Sequence, residues 1–201
     1  MKTHILNYKE PSNIDEVSRA LLERLNPGLL QAVMPIKIIG DGNCLFRAAS
    51  IAAYGDETKH TDLRHRVFLE MKENPKWYNK DDPNFSSPFA NDLEIMLADF
   101  SYYIENTPKS NSWCDINHLL ALSAVLNTPV ESYYPPIQSI VSPYSRIIIG
   151  RGVNESEEPD IKFKIMWTTT NLPHQLKEFV PNHFVPLIPV SANNEKIHQG
   201  K

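Results

Sequence analysis

The stretch IKIIGDGNCLFRAAS, residues 36–50, decides the fold prediction for this chain. Residues 36–39 have the apolar character of the end of a buried strand, and residues 40–43 form a tight polar turn that contains two glycines. Cys44 then opens an apolar run that predicts a helix as far as Ala53. The chain has only two cysteines, and one of them stands at the junction between turn and helix.

A cysteine at the start of a helix is a candidate nucleophile. Thiolate is the reactive form of cysteine, and the unpaired N–H groups of a helix N-terminus lower the pKa of a thiol. The same groups, with those of the preceding turn, can bind a developing oxyanion, and glycine lets a substrate carbonyl approach the backbone. The alternative is that Cys44 is a small buried helix residue. The residues of this stretch alone leave both interpretations open.

Two other interpretations of the stretch are weaker. A phosphate loop needs a lysine or a third glycine after the turn, and Leu45 follows Cys44 instead. A zinc site could combine Cys114 and His118 with Cys44 and His183. These ligands are scattered and include no second close pair, and we expect His118 to lie at the surface beside an apolar helical stripe. We therefore predict no metal.

Among the seven histidines, His183 is the best candidate for a general base. It follows Pro181 and Asn182 and begins the apolar segment HFVPLI, which predicts a strand. A histidine at the start of a buried strand is held rigidly enough to accept a proton. An ordinary surface histidine at a strand end is the alternative.

Composition limits the class of protein. The 201 residues are 41% hydrophobic, which suits one compact domain. The net charge is −4 and no basic stripe is present, so we expect no nucleic-acid partner. Two cysteines make no disulfide framework, no apolar run is long enough to cross a membrane, and the N-terminus lacks the apolar core of a signal peptide. We expect an intracellular protein, cytoplasmic or nuclear.

Predicted helices precede most of the predicted strands. Apolar residues at helical spacing predict helices at residues 13–25 with Asn13 as the cap, from Thr61 onward, at 89–104, and after Asp115 as the cap. Strands are predicted at residues 129–134, 146–149, 162–167 and 183–188. This order indicates an α+β fold.

Three segments resemble one known family. DGNCLFRA, residues 41–48, resembles the nucleophile motif of the ovarian tumour (OTU) family of cysteine deubiquitinases. WCDINHLLALSAVLNTPV and NHFVPLI resemble that family's helix-to-strand segment and its histidine strand, in the same order. The resemblance covers residues 34–189. The blocks YGDETKHTDLRHRVFLEM, LLALSAVLNTPVESYYPP and FKIMWTTT are similar in particular to the vertnin-type OTU-like domains.

The resemblance implies a papain-like α+β fold in which a central twisted, mostly antiparallel sheet packs against helices. It implies an N-terminal helical extension at residues 1–33, a catalytic domain at 34–190 and a flexible tail at 191–201. The implied activity is thiol-dependent hydrolysis after the C-terminal glycine of ubiquitin or a ubiquitin-like modifier, with no cofactor and no membrane partner. The alternatives are a non-catalytic OTU-like ubiquitin-binding or scaffold module, and a viral or transposon polyprotein protease.

The resemblance also assigns roles to residues. Cys44 matches the nucleophile and His183 the general base. Asp41 matches the motif aspartate, which would shape an oxyanion site from the backbone N–H groups of Gly42, Asn43 and Cys44.

One position departs from the family pattern. Many members carry Asp or Asn two residues after the histidine to orient its ring, and this chain has Val185 there. Asn182 is the first substitute to consider, because it is adjacent to His183 and Pro181 makes a regular strand before His183 less favourable. Asp41, a backbone carbonyl or water are the others, and a Cys–His dyad can also work.

Overall fold

The protein is described by a computed structural model that covers residues 13–92, 94–95, 97–137, 140–154 and 163–190. The expected flexible tail at 191–201 lies outside the described residues. The helices are α1 (Glu16–Leu25), α2 (Pro27–Leu30), α3 (Cys44–Tyr54), α4 (His60–Glu73), α5 (Pro75–Tyr78), α6 (Phe100–Asn106) and α7 (Ile116–Leu126). The strands are β1 (Val33–Pro35), β2 (Val130–Tyr133), β3 (Arg146–Ile148), β4 (Phe163–Thr168) and β5 (His183–Pro189).

The five strands form one sheet in the order β1-β5-β4-β2-β3. Only β2 and β4 run parallel, and the other three pairs are antiparallel. Strands β2 to β5 fall within the four predicted segments or within one residue of them. The predicted α+β fold with a mostly antiparallel sheet is therefore confirmed.

Helix α3 lies at the centre of the molecule. It packs on β4 and β5, and its side chains Leu45, Phe46, Ala48 and Ala49 are all completely buried. A helix that is apolar on nearly all sides must be enclosed by other elements. Cys44, the first residue of α3, is therefore held in a rigid environment. None of the helices in the described ranges combines the length and apolar character that crossing a membrane requires.

Helix α1 packs on the sheet close to the start of β5. Leu21 and Leu22 are completely buried, and Ser18 Oγ donates to Thr168 Oγ1 at 2.8 Å. The cap of this helix is Asp15 and not the predicted Asn13. Asp15 Oδ1 accepts from the Ser18 N–H at 2.8 Å, so the helix begins two residues later than expected.

We call residues 40–43 the motif turn. The strand before it ends earlier than predicted. β1 stops at Pro35. Beyond it, the Ile36 N–H still donates to Pro186 O of β5 at 3.1 Å, and Ile36 forms an isolated bridge with Ile14. The Lys37 N–H donates to Asn13 O at 2.8 Å, and no further ladder follows it. Ile39 is 57% exposed, so the chain has already left the sheet when the turn begins.

The predicted helix at residues 89–104 is wrong in its first part, because the described residues between 89 and 99 are not helical and α6 begins at Phe100. Phe89 and Ile95 are buried, but they lie in a series of turns that begins with the Phe89 N–H bonded to Ser87 Oγ at 3.2 Å. Asp92 pairs with Arg146 of β3 at 2.7 Å. Tertiary packing, and not a helical face, accounts for the apolar spacing there.

The predicted cap of α4 is also displaced. The helix begins at His60 after Lys59, so Thr61 lies inside it. The Lys59 N–H donates to Ser50 Oγ of α3 at 3.0 Å, which ties the start of α4 to α3.

Candidate active site

The Asp41 side chain hydrogen-bonds to Asn43 and to Arg47, and so links the motif turn to the N-terminal part of α3. Its Oδ1 accepts from the Asn43 N–H at 3.0 Å and from Arg47 Nε at 3.1 Å, and its Oδ2 accepts from Asn43 Nδ2 at 3.0 Å and from Arg47 Nη2 at 2.7 Å. Arg47 also pairs with Glu57 at 2.7 Å. The Arg47 and Asn43 hydrogen bonds hold the pKa of Asp41 well below its ordinary value. Asp41 is therefore a carboxylate throughout the neutral range.

Position 42 has two features that only glycine can accommodate. Its φ is +77°, in the left-handed region that favours glycine. A Cβ at this position would also lie 2.2 Å from the Asn111 Cα. Residues 107–113 therefore form a loop that lies directly against the motif turn; we call it the 107–113 loop.

Arg64 of α4 supports both the turn and the 107–113 loop, and sequence reasoning missed it. The residue is only 4% exposed, and its guanidinium donates to Gly42 O at 2.7 Å and to Asn43 Oδ1 at 3.0 Å. A sequence signal was available. Arg64 shares helical spacing with the buried Val67 and Met71, and an arginine on the apolar face of a helix needs buried acceptors.

The possible oxyanion donors reduce to two. The Asn43 N–H is bonded to Asp41, so the expectation that Asn43 contributes a free donor is wrong. Within the described residues, neither the Gly42 N–H nor the Cys44 N–H donates to another residue, and the Cys44 N–H lies beside its own sulphur. These two groups are available to an anion beside the Cys44 sulphur.

The Cys44 thiol lies in an environment that opposes ionisation. Its residue is 5% exposed, and burial raises the pKa of the thiol, while the backbone N–H groups of Phe184 and Leu45 act in the opposite direction. The expectation of a lowered thiol pKa is therefore wrong for this conformation, because desolvation outweighs the helix start. Cys44 is protonated at neutral pH.

His183 is the first residue of β5 and faces the start of the turn. A Cβ built on Gly40 would lie 3.6 Å from its Cε1 and 3.7 Å from its Nδ1. The ring is 4% exposed, and burial lowers its pKa below the ordinary 6.5, with a smaller opposing effect from Asp15. The imidazole is therefore neutral at pH 7, which is the form that a general base requires.

The structure brings the predicted site residues to one place but does not join the thiol to the ring. The Cys44 sulphur faces the backbone N–H of Phe184, the residue after His183. No hydrogen bond links Cys44 to His183 in the part of the chain that the structure describes. Catalytic hydrogen bonds are often long or absent before substrate binds.

Neither Asn182 nor Val185 orients the imidazole ring of His183. Asn182 is exposed, and its side chain bonds the backbone N–H of Thr170 at 2.9 Å and the Thr170 Oγ1 at 3.4 Å rather than His183. Val185 is completely buried opposite Met166 in the sheet. Among the described residues, no side chain hydrogen-bonds to either ring nitrogen of His183.

An aromatic side chain borders the site. Trp113, at the end of the 107–113 loop, is 37% exposed and stacks on Phe184 with ring centroids 5.2 Å apart. The Phe184 ring in turn packs against the buried Trp167, with ring centroids 4.5 Å apart. Trp113 is therefore the exposed end of an aromatic stack that begins in the core.

The alternative zinc ligands have other roles. His118 is 1% exposed and not at the surface as expected, and its ring contacts Asp115 Oδ1 at 2.9 Å and Thr107 Oγ1 at 3.0 Å. Asp115 caps α7, as predicted. Cys114 is buried, which raises its pKa well above the ordinary value. Over the described ranges, no three His, Cys, Asp or Glu side chains converge as metal ligands.

The sheet, the central helix with its cysteine and the histidine strand define an OTU domain. The solved OTU domain of OTUD1 aligns with 85% of this chain and 96% of its own, at 21% identity and a TM-score of 0.55. The viral OTU domain protease from Dera Ghazi Khan virus aligns with 81% and 85%, at 14% identity and a TM-score of 0.50. At these identities the likeness concerns the fold.

The sequence model of the family described as "Vertnin, OTU domain" matches residues 35–168, and the chain belongs to that family. The matched range contains Cys44 and ends before His183. Vertnin of Ailuropoda melanoleuca is 26% identical over 87% of this chain. OTU domain-containing protein 5 of Homo sapiens is 28% identical over 61% of it. The chain spans 26% and 19% of these two relatives.

Proposed function

We propose that the chain is a thiol-dependent hydrolase that cleaves the bond after the C-terminal glycine of ubiquitin or a ubiquitin-like modifier. The observation that carries the proposal is the turn before Cys44. In this turn the N–H groups of Gly42 and Cys44 donate to no other described residue, and the turn leads directly into a thiol at the N-terminus of a rigid helix. The OTU motif at residues 41–48 supports the choice of substrate class.

In the proposed reaction, neutral His183 takes the proton of the Cys44 thiol. The thiolate attacks the glycyl carbonyl, and the N–H groups of Gly42 and Cys44 bind the oxyanion. The C–N bond breaks, and the amine leaves with the proton from His183. Water then attacks the thioester, which releases the modifier carboxylate and restores the thiol.

Substrate binding would have to bring the imidazole to the sulphur. The required displacement is local, because the sulphur already faces the backbone of the residue after His183. Contact with the imidazole offers the thiol proton an acceptor and offsets the effect of burial on the thiol pKa. The exposed face of Trp113 would form one wall for an extended glycine-rich tail.

A non-catalytic ubiquitin-binding or scaffold module is the second candidate. The resting site favours it, since the thiol is buried and protonated and makes no hydrogen bond to His183. Val185 leaves the ring without the usual orienter. We propose an intracellular location for either candidate, because a free thiol stays reduced there.

Incubation with ubiquitin that carries a C-terminal alkyne electrophile tests the proposal. A covalent adduct mapped to Cys44, absent from Cys44→Ala, is the expected result. Cys114→Ala serves as the matched control and should still form the adduct. Ubiquitin binding without an adduct would favour the module, and the absence of both would refute ubiquitin as the partner.

A further inference from the structure

Arg64 is a buried charge with no carboxylate partner among the described residues. Its guanidinium makes five hydrogen bonds to neutral oxygen atoms and also lies beside the buried Cys114 thiol. The hydrogen bonds are to Gly42 O at 2.7 Å, Asn43 Oδ1 at 3.0 Å, Thr107 O at 2.8 Å, Lys109 O at 2.9 Å and Ser112 O at 3.3 Å. A buried cation is costly unless its donors are satisfied. The arrangement positions backbone, since no opposite charge is being neutralised.

One of these hydrogen bonds, together with one that Asp41 accepts, fixes a single peptide group of the motif turn. Arg64 holds the carbonyl oxygen of Gly42, and Asp41 Oδ1 holds the N–H of Asn43 at 3.0 Å. The carbonyl and the N–H of a planar peptide point in opposite directions. When both ends are bonded, the peptide between Gly42 and Asn43 cannot rotate.

That fixed peptide determines which neighbours are free. The Asn43 N–H points to Asp41, and the Asn43 carbonyl accepts from the Arg47 N–H at 2.9 Å within the helix. The N–H groups of Gly42 and Cys44, on either side of this unit, donate to no other residue within the described ranges. A change in ψ of Gly42 or in φ of Asn43 would turn one of these N–H groups relative to the other.

We propose that Arg64 is a positioning residue, which holds the Gly42 carbonyl so that the N–H groups of Gly42 and Cys44 converge on an oxyanion at Cys44. The inference rests on the thiol chemistry proposed above and adds a residue that acts through the backbone without touching substrate. The same guanidinium holds three carbonyls of the 107–113 loop, so a purely structural role must be distinguished from this one.

Two small reagents separate these roles without any need for ubiquitin. Iodoacetamide alkylates the thiolate by displacement at a saturated carbon, with loss of iodide and no oxyanion. With 4-nitrophenyl acetate, the thiolate attacks the carbonyl carbon, an oxyanion forms, and the C–O bond breaks to release nitrophenolate. The product is the S-acetyl thioester, and the thiol proton passes to His183 or to water. Mass mapping gives the rate of each reaction at Cys44.

We expect Arg64→Lys to lower the ratio of acetylation to alkylation at Cys44 about tenfold, which is less than the ~10²–10³-fold cost of losing a donor outright. Lysine keeps the charge but has three donors in place of a planar fork of five. Arg66→Lys is the matched control on the same helix, because Arg66 is exposed and donates to the Val125 carbonyl at 2.8 Å. It should leave the ratio unchanged.

Several outcomes would overturn the assignment. Equal losses of rate in both reactions would mean that Arg64 serves the fold alone. Unchanged rates of both would mean that the bond from Arg64 to the Gly42 carbonyl has no effect on the reaction. A wild-type thiol that reacts with neither reagent would remove the basis for an oxyanion site. If Arg64→Lys does not fold, Asn43→Ala takes its place. It removes one acceptor of Arg64 and one hydrogen bond to Asp41 and keeps the backbone donors, so a selective loss of acetylation would still uphold the proposal and equal losses would overturn it. A selective loss without a ubiquitin adduct would uphold Arg64 and reject only ubiquitin.

Discussion

Burial determines the state of the three reactive side chains. The thiols of Cys44 and Cys114 and the ring of His183 are each at most 5% exposed. Desolvation disfavours the charged form, so it raises the pKa of both thiols and lowers that of the imidazole. Cys44 and His183 are therefore both uncharged in the resting site. The nearby Asp41 is a carboxylate, and it is paired with Arg47.

We predict that brief alkylation at neutral pH labels Cys44 faster than Cys114. The N–H groups of Phe184 and Leu45 favour the Cys44 thiolate. At Cys114, burial raises the pKa well above its ordinary value even though the charge of Arg64 opposes it. Mass mapping of the modified peptides measures the two rates. Faster labelling of Cys114 would contradict the assignment of the nucleophile.

His183→Ala should leave the fold intact and lower hydrolysis of a ubiquitin–fluorophore substrate by ~10²–10⁴-fold. In the wild type, burial lowers the pKa of His183 below the ordinary value of 6.5, so the ring becomes protonated only at a pH below 6.5. The acid limb of kcat/KM should therefore have its midpoint below pH 6.5. A midpoint above that value, or near-normal activity of His183→Ala with unchanged melting, would identify another base.

Val185→Asp should destabilise the protein and fail to restore an orienter. Val185 is completely buried within the sheet, and an unpaired carboxylate there costs several kcal/mol. Chemical denaturation measures the loss. Val190→Asp is the matched control, because Val190 is 46% exposed and should tolerate the charge. A stable and more active Val185→Asp would mean that this position can accommodate a charge beside the ring.

Local sequence pattern predicted the features that depend on neighbouring residues. It did not predict those that depend on contacts between distant residues. Cys44 does begin a helix and His183 does begin a strand, as turn chemistry and apolar runs predicted. The partners of Arg64 lie 21 to 48 residues away, and burial of the thiol depends on strand β5. The preference of Asn182 for Thr170 likewise follows from tertiary structure.

At the scale of elements, the motif turn and the 107–113 loop behave as one unit. Gly42 and Asn111 both have positive φ, of 77° and 70°, and their backbones are in direct contact. Local pattern predicted the helices on each side of these segments, α3 and α7. It did not predict that the two segments pack together, nor that Phe89 and Ile95 lie in turns, since both depend on long-range packing.

Gly42→Ala should therefore be far more damaging than Gly152→Ala. Both glycines have a φ of +77°, so each alanine carries the left-handed cost of about 1–2 kcal/mol. The Cβ at residue 42 would also lie 2.2 Å from backbone of Asn111, whereas the Cβ at 152 meets nothing within 4 Å. Thermal melting and acetylation of Cys44 measure the difference. Equal losses of stability would show that the close packing does not constrain the turn.

At the scale of the whole molecule, α1 shares the core of the sheet. Leu21 and Leu22 belong to the same buried cluster as α3 and β5, and Ser18 bonds Thr168, the strand partner of His183. The boundary expected after residue 33 stays a prediction. The contacts suggest that removing α1 would disturb the strand on which His183 lies.

Leu22→Ala tests this coupling. We expect a loss of about 2–5 kcal/mol in the free energy of unfolding, since a completely buried leucine leaves a cavity. Glu23→Ala, on the exposed side of the same helix, should change it by less than about 0.5 kcal/mol. Urea denaturation compares the two variants. Similar small effects would mean that α1 is dispensable for the fold.

The stack of Trp113 on Phe184 gives the site an optical reporter of its own. Indole emission moves to shorter wavelength when water is excluded from the ring, and Trp113 is 37% exposed at the rim of the site while Trp167 is 4% exposed behind it. A polypeptide tail that covers Trp113 should therefore shift the emission to the blue without any added dye. Binding could then be followed in Cys44→Ala, where no chemistry competes, and Trp113→Phe would keep an aromatic ring on Phe184 while silencing the signal.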